Sequence, residues 1–237
     1  MKPFFTYYGG KYRAALHYPK PLHGTIVEPF AGSAGYSLRY HEARVILVEL
    51  NPTIAALWRY VIGATAREFL MLPDLQPGQT VDDLRIPQEA RWLIGFWLNK
   101  GSSGPCKVPS AWMRGGTRPN SFWGPAIRRR LASQAGKLRH WKILECSYSD
   151  PFVSEIGEAT WFIDPPYETA GKHYKYAKVD YSHLARWCLA LRGQAIVCEN
   201  EGASWLPFQP FRSIKSNPSS RGKKFSKEVI FTRESEK

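Results

Sequence analysis

Apolar residues fall into two kinds of run along this chain. Short blocks dense in β-branched and aromatic residues have the length and composition of buried strands: 24–30 around Ile26-Val27, 44–49 around Val45-Ile46-Leu47-Val48, 141–146 around Ile143-Leu144, 160–164 around Trp161-Phe162-Ile163, 194–198, and 228–232. Between them, 35–42, 52–62, 88–98, 125–140 and 182–191 read as helices. Asn51-Pro52 marks one helix start. Asparagine caps exposed backbone N–H groups, and proline at the first helical position has no N–H that needs a partner. Strand, glycine-rich turn, helix, strand and helix over 24–62 is the alternation of a doubly wound parallel sheet, so the expected class is α/β and Rossmann-like.

The pattern changes between 73 and 142. Pro73, Pro77 and Pro87 make 73–87 a linker, and 101–124 is rich in Gly, Pro and Ser. The 88–98 helix is apolar around much of its circumference through Trp92, Leu93, Ile94, Phe96 and Trp97. The expected organisation is one α/β domain made of 1–72 and 143–237, interrupted by a basic, mainly helical insertion over 73–142.

Charge sharpens this division. Residues 85–142 carry twelve basic side chains against the single acid Glu89, which is +11 of the net +13 of the 237-residue chain. Such a block suits a polyanion, nucleic acid first and an anionic membrane surface second; a merely solvated basic face is the plain alternative. A hydrophobic content of 43% is enough for a core and too high for a disordered chain. No apolar run approaches the ~20 residues of a membrane span, and the N-terminal stretch lacks the apolar segment of a signal peptide. Cys106, Cys146, Cys188 and Cys198 have neither zinc nor disulfide-scaffold spacing, and the six histidines show no ligand spacing. The expectation is a reduced, cytoplasmic protein without metal.

Asp164-Pro165-Pro166-Tyr167 directly follows an apolar strand, at the carboxyl edge of a parallel sheet where such folds bind ligands. A proline-rich strand exit is the bland reading. The chemical reading starts from the weakness of an aromatic exocyclic amine as a nucleophile, because its lone pair is delocalised. Two acceptors facing its N–H bonds hold the nitrogen closer to tetrahedral. Asp164 offers a carboxylate, Pro165 a backbone carbonyl on a turn stiffened by Pro166, and Tyr167 a ring that can stack on a base for about 1–3 kcal/mol.

The sequence resembles the Dam-like family of S-adenosylmethionine-dependent DNA N6-adenine methyltransferases, which carries Asp-Pro-Pro-Tyr in this sheet position. Tyr7-Tyr8-Gly9-Gly10-Lys11 is similar to its N-terminal cofactor motif, and 27–35, Val-Glu-Pro-Phe-Ala-Gly-Ser-Ala-Gly, to its cofactor-binding loop. Val48-Glu49-Leu50-Asn51-Pro52 is similar to its acidic second-strand motif, and Ser213-Ile214-Lys215-Ser216-Asn217 with Lys223, Lys224 and Glu228 to its closing segment. Ala34 stands where a Phe-x-Gly-x-Gly pattern has its second glycine, and Ser147 replaces the acid of the family's Gly-Asp-Phe.

The resemblance implies a catalytic Asp164-Pro165-Pro166-Tyr167 and a cofactor site at Tyr7, Gly10, Lys11, Phe30, Gly32, Glu49, Tyr148 and Asp164. Glu49 would accept the ribose hydroxyls and Tyr148 would stack on the cofactor's adenine. The insertion would recognise DNA, with Lys107, Arg114, Arg118, Arg128, Arg129 and Arg130 neutralising phosphates and Trp112 or Trp123 stacking on bases. The target adenine would be flipped out of the duplex. The enzyme would act as a monomer or weak dimer. N4-cytosine methylation, RNA adenine methylation and a non-catalytic DNA-binding protein on a methyltransferase scaffold stand as alternatives. A C5-cytosine mechanism does not fit, because Pro105-Cys106 lies in the insertion and Cys198-Glu199-Asn200 is no ordered partner for it.

Overall fold

The β-branched runs pair into one seven-stranded sheet, in a computed structural model that describes residues 1–116, 120–168, 178–215 and 225–234. Five strands run parallel in the order β3-β2-β1-β4-β5: β1 (Thr25–Glu28), β2 (Arg44–Val48), β3 (Lys142–Leu144), β4 (Ala159–Ile163) and β5 (Gly193–Asn200). β7 (Phe225–Glu234) lies antiparallel on β5, and β6 (Gln209–Lys215) antiparallel on β7. The chain winds outward from β1 to β3 and then returns to place β4 on the other side of β1. That reversal opens a crevice at the carboxyl ends of β1 and β4, the usual ligand position in open α/β sheets.

Strand alternation assigns the two faces. Ile26, Val45, Leu47, Phe162 and Ile196 enter one buried cluster, and their neighbours Val27, Ile46, Val48, Trp161, Ile163 and Val197 enter another. The second face is covered by Val153 of the short helix α6 (Pro151–Ser154) and by Leu184, Trp187 and Cys188 of α7 (Tyr181–Ala190). The first is covered by α1 (Pro52–Gly63), the N-terminal segment and the middle block. Phe4, Phe5 and Trp58 share one continuous cluster with Val81, Leu93, Phe96, Trp97, Trp123, Leu131 and Trp141.

Local chemistry sets the helix ends. Asn51 Oδ1 accepts the Thr53 N–H at 3.1 Å with Pro52 in the first turn of α1. A reciprocal Thr65–Glu68 capping box starts α2 (Ala66–Met71), a helix the apolar periodicity does not announce. Two expected helices come out shorter. The 35–42 stretch forms one 3-10 turn, Ser37–Tyr40, because the Ser37 N–H is taken by Glu28 Oε1 at 2.6 Å and β2 begins soon after. The basic helix expected over 125–140 ends at Ala132 as α5 (Pro125–Ala132), following α3 (Gln88–Leu98) and the short α4 (Ala111–Arg114). There the Ser133 hydroxyl bonds back to Arg130 O at 2.8 Å, and the chain continues in tight turns. β6 escapes the apolar pattern because it carries Pro210 and a register shift between Pro210 and Arg212, features of an edge strand.

The middle block and the sheet share a core, so they are expected to unfold together. Phe96→Ala should lower stability by about 3–5 kcal/mol. Urea unfolding followed by tryptophan fluorescence and by far-UV dichroism should show one coincident transition displaced as a whole; a separate early transition in one signal contradicts the shared core.

Candidate active site

A cleft of about 960 Å³, counted with the space at its open mouth, lies at the reversal between β1 and β4. Tyr7, Gly10, Lys11, Phe30, Gly32, Glu49, Tyr148 and Asp164, drawn from five separate parts of the chain, all line it. Glu28, Leu50, Asn51, Phe162, Lys178 and Val179 line it as well; the first three fall inside the motifs named from the sequence, which gave none of the six a site role. Glu28 and Leu50 had a usable signal, as an acid ending a parallel strand and an apolar residue directly after another. Lys178 had none.

The loop after β1 is shaped by close approaches. Gly32 has φ +45°, and a Cβ there would sit 3.2 Å from the Tyr7 ring. A Cβ on Gly35 would lie 2.5 Å from the Tyr12 nitrogen and 2.8 Å from the Lys11 carbonyl carbon. The N-terminal segment can therefore touch this loop only because residue 35 has no side chain. Ala34, where the family pattern has glycine, is left-handed at φ +50°.

Glu49 is tied to the same loop. Its Oε2 accepts the Gly32 N–H and its Oε1 the Asn51 N–H, each at 2.9 Å. Burial pushes its carboxyl up from the ordinary range, and these backbone donors pull it back. A carboxylate has about four lone-pair sites, so two remain for a vicinal diol. Phe30 packs on Tyr148 at 5.2 Å between ring centroids. Tyr148 shares a 3.0 Å hydrogen bond with His183 Nδ1 and meets Trp187 edge-on, and burial raises its hydroxyl to about 12. With the half-exposed Leu50, these rings form an apolar slot beside Glu49.

Asp164 follows β4 directly. Its Oδ1 is 2.9 Å from Lys11 Nζ, an ion pair set off the direction of a regular hydrogen bond. Burial raises the Asp164 carboxyl, and Lys11 opposes the rise. Burial lowers Lys11, and the neighbouring carboxylates more than offset this, so the amine stays charged. The following turn is tied at two points: the Tyr181 hydroxyl donates to Pro166 O at 2.6 Å, and the Glu168 N–H to Glu199 Oε2 at 3.1 Å. Pro165 is buried, Pro166 lines the cleft, and Tyr167 presents its ring to Lys11 Nζ at 4.6 Å.

The basic block differs from expectation in its details. Arg128 donates to Leu72 O at 2.8 Å and pairs with Asp74, while Arg130 donates to Pro3 O at 3.2 Å and lies over the Trp97 ring at 4.7 Å. Both guanidinium groups clamp the chain onto itself instead of facing outward, because the helix turns only Arg129 of the three to solvent. Trp123 is likewise core, 5% exposed, with its indole N–H on Pro73 O at 2.8 Å. Lys107 is exposed and paired with Asp82 at 2.6 Å, and exposed Arg114 donates to Pro109 O at 2.6 Å. Arg118 and the 216–224 part of the closing segment lie outside the described residues, as does the side chain of Trp112.

Among the described residues no helix is long and apolar enough to cross a membrane, and no group of three His, Cys, Asp or Glu side chains could hold a metal. No protein-family model and no curated protein matches the chain. Among solved structures it is similar to a conserved hypothetical protein of Streptococcus pyogenes, at 11% identity and a TM-score of 0.34 over 87% of this chain and 84% of that one.

The arginine geometry gives a direct test. Arg130→Ala removes a partly buried cation–π contact and a backbone hydrogen bond and should lower stability by about 1–3 kcal/mol, whereas Arg129→Ala should stay within about 0.5 kcal/mol of the parent. Chemical denaturation of the two variants separates them, and equal losses contradict the assignment.

Proposed function

We propose that this chain transfers a methyl group from S-adenosylmethionine to the exocyclic N6 amine of adenine in DNA, on a Rossmann-like methyltransferase sheet whose basic middle block contacts the nucleic acid. One observation carries the reading. The glycine loop, the strand-ending Glu49, the N-terminal Lys11 and Asp164 are far apart in sequence and line a single cleft at the switch point of the sheet.

The residues present fit the cofactor. Gly32 leaves a cradle that a Cβ would close against Tyr7. Glu49 is oriented by two backbone donors with lone pairs to spare, as a ribose diol requires. The Phe30, Leu50 and Tyr148 slot suits a purine ring, with Ser147 in place of a strong acceptor. When bound, S-adenosylmethionine supplies a methyl carbon on a positively charged sulfur, which keeps the electron pair of the breaking C–S bond.

The chain's own groups do the rest. Asp164 accepts one N–H of the adenine amine and the Pro165 carbonyl accepts the other, which localises the lone pair on nitrogen. Tyr181 holds Pro166 O and Glu199 holds the Glu168 N–H, so the turn carrying both acceptors is fixed before substrate arrives. As the N–C bond forms, positive charge grows on the nitrogen and the Asp164 carboxylate stabilises it. The surplus proton then leaves through Asp164 to solvent.

Incubation with labelled S-adenosylmethionine and plasmid DNA, followed by digestion to nucleosides, should yield N6-methyladenine. Label on cytosine or only on RNA would support the corresponding alternative, and cofactor binding without transfer the non-catalytic one. Asp164→Ala should abolish transfer while DNA binding persists. Glu49→Gln should weaken cofactor binding by roughly ten- to a hundredfold, measured by calorimetry, because one charge-assisted contact is lost.

The pH dependence has a definite sign. Asp164 must be ionised to accept from the amine, and burial raises its carboxyl. The transfer rate should therefore fall on acidification with a midpoint above that of a free aspartate; single-turnover rates across pH measure it.

A further inference from the structure

Two carboxylates share the Lys11 ammonium, and only one of them lines the cleft. Lys11 Nζ lies 2.9 Å from Asp164 Oδ1 and 3.8 Å from Glu228 Oε1, and donates to Gly9 O at 3.3 Å. Glu228 belongs to β7, paired with Asn200 of β5 on one side and Arg212 of β6 on the other. It is 5% exposed, and its Oε2 accepts the Tyr18 hydroxyl at 3.2 Å. Tyr18 is fixed in turn by stacking on Phe211 at 4.7 Å and by an edge contact with Phe162.

One counter-ion is enough for a buried ammonium, and a second buried carboxylate is costly. At rest Lys11 sits on Asp164, the group that a substrate amine needs as its acceptor. Glu228 offers the displaced ammonium a second seat, 3.8 Å away and so about 0.6 Å beyond hydrogen-bond range. Lysine suits such an exchange, because its three donors turn freely on a flexible stem.

We infer that Glu228 is a positioning residue for the transfer: it draws the Lys11 ammonium off Asp164 as the substrate amine docks, leaving Asp164 ionised and its lone pairs turned to the amine. This rests on the reading of Asp164 as the amine's acceptor.

The groups facing this pair from each packed element fit the exchange. Burial raises Tyr18 from the N-terminal segment, Tyr167 after β4 and Cys198 of β5 well above their ordinary values, so all three stay neutral. Burial pushes Glu28 at the end of β1 up to about 8, which favours its neutral form, against the pull of the Ser37 donors. Glu199 of β5 spends its oxygens on the Glu168 and Asn200 N–H groups and the Trp205 indole. Burial raises the Glu228 carboxyl above its ordinary range, and Lys11, the Tyr18 hydroxyl and Arg212 of β6 pull it back toward the charged form. Lys11, Arg212, Asp164 and Glu228 thus balance, and moving the ammonium between carboxylates leaves the enclosed charge unchanged.

Replacing Glu228 with Gln removes the second seat. Lys11 then commits to Asp164, which holds that carboxylate ionised to lower pH while blocking it from the amine. The plateau of the single-turnover rate should drop about tenfold, the equivalent of one charge-assisted contact. The acidic limb of its pH profile should move down by roughly half a pH unit. The Asp164 midpoint, read by carboxyl-carbon NMR in the free protein, should move the same way. Glu228→Asp should restore the limb, and Tyr18→Phe, which keeps both ring contacts, should reproduce part of the shift if Glu228→Gln fails to fold. A folded variant with slower transfer but an unmoved limb and midpoint has lost only structural support and overturns the inference, as does an unchanged rate. A parent chain that binds cofactor and transfers no methyl group overturns the reading beneath it instead.

Discussion

The approach of the N-terminal segment to the loop after β1 is the contact on which the site depends. Backbone meets backbone there, at 2.5 Å and 2.8 Å from where a Gly35 Cβ would stand. The N-terminal wall of the cleft follows from it. Lys11 reaches Asp164 because its own backbone is pressed onto the loop, and Tyr7 roofs Gly32 for the same reason. Arg39 fastens the arrangement from outside by donating twice to Tyr12 O, at 3.0 and 2.8 Å, while stacking on the Tyr12 ring. A side chain at residue 35 would lift Lys11 away and leave Asp164 as an uncompensated buried charge, which is among the most damaging changes a core can suffer.

The same contact explains the middle block's packing. The Thr6 hydroxyl donates to Phe96 O at 2.6 Å, the Trp97 indole to Phe4 O at 2.8 Å, and the Tyr8 N–H to Ser102 O at 3.1 Å. The N-terminal segment is therefore held between α3 and the sheet. Trp97 grips that segment directly, while Trp123 and Trp141 place their indole N–H groups on Pro73 O and His41 O and so tie other segments to the same core.

Legibility in the sequence followed the physics of each feature. The central strands were readable because β4, buried at all five positions, is apolar or β-branched throughout, with Thr160 its one polar residue. The start of α1 was readable because Asn51 and Pro52 act locally. α2 and β6 were not: one is a single capped helix with one buried residue, the other an edge strand broken by Pro210. Asp164, Glu49 and Lys11 stood out through short motifs, and nothing local in those motifs says that they share a cleft. Glu228 could be quoted as part of a resemblance, but its place beside Lys11 arises from β7 running back antiparallel between β5 and β6, a long-range fact. The intramolecular partners of Arg128 and Arg130 are hidden for the same reason, since charge is visible in a sequence and the carbonyl that meets it is not.

That last point changes what the charge of the block means. A net +11 over 85–142 counts side chains, whereas a polyanion meets only those with donors left outward. Arg128 and Arg130 are spent on Leu72 O and Pro3 O, and Arg91 is only partly exposed. Arg85, Lys100, Lys107, Arg114, Arg129, Lys137, Arg139 and Lys142 remain exposed among the described residues. For the proposed DNA contact, the salt dependence belongs to this outward set, since only a cation that releases counterions from a phosphate contributes to it. The inward arginines act one step earlier, by holding α5 on the core and so fixing where the outward charges stand.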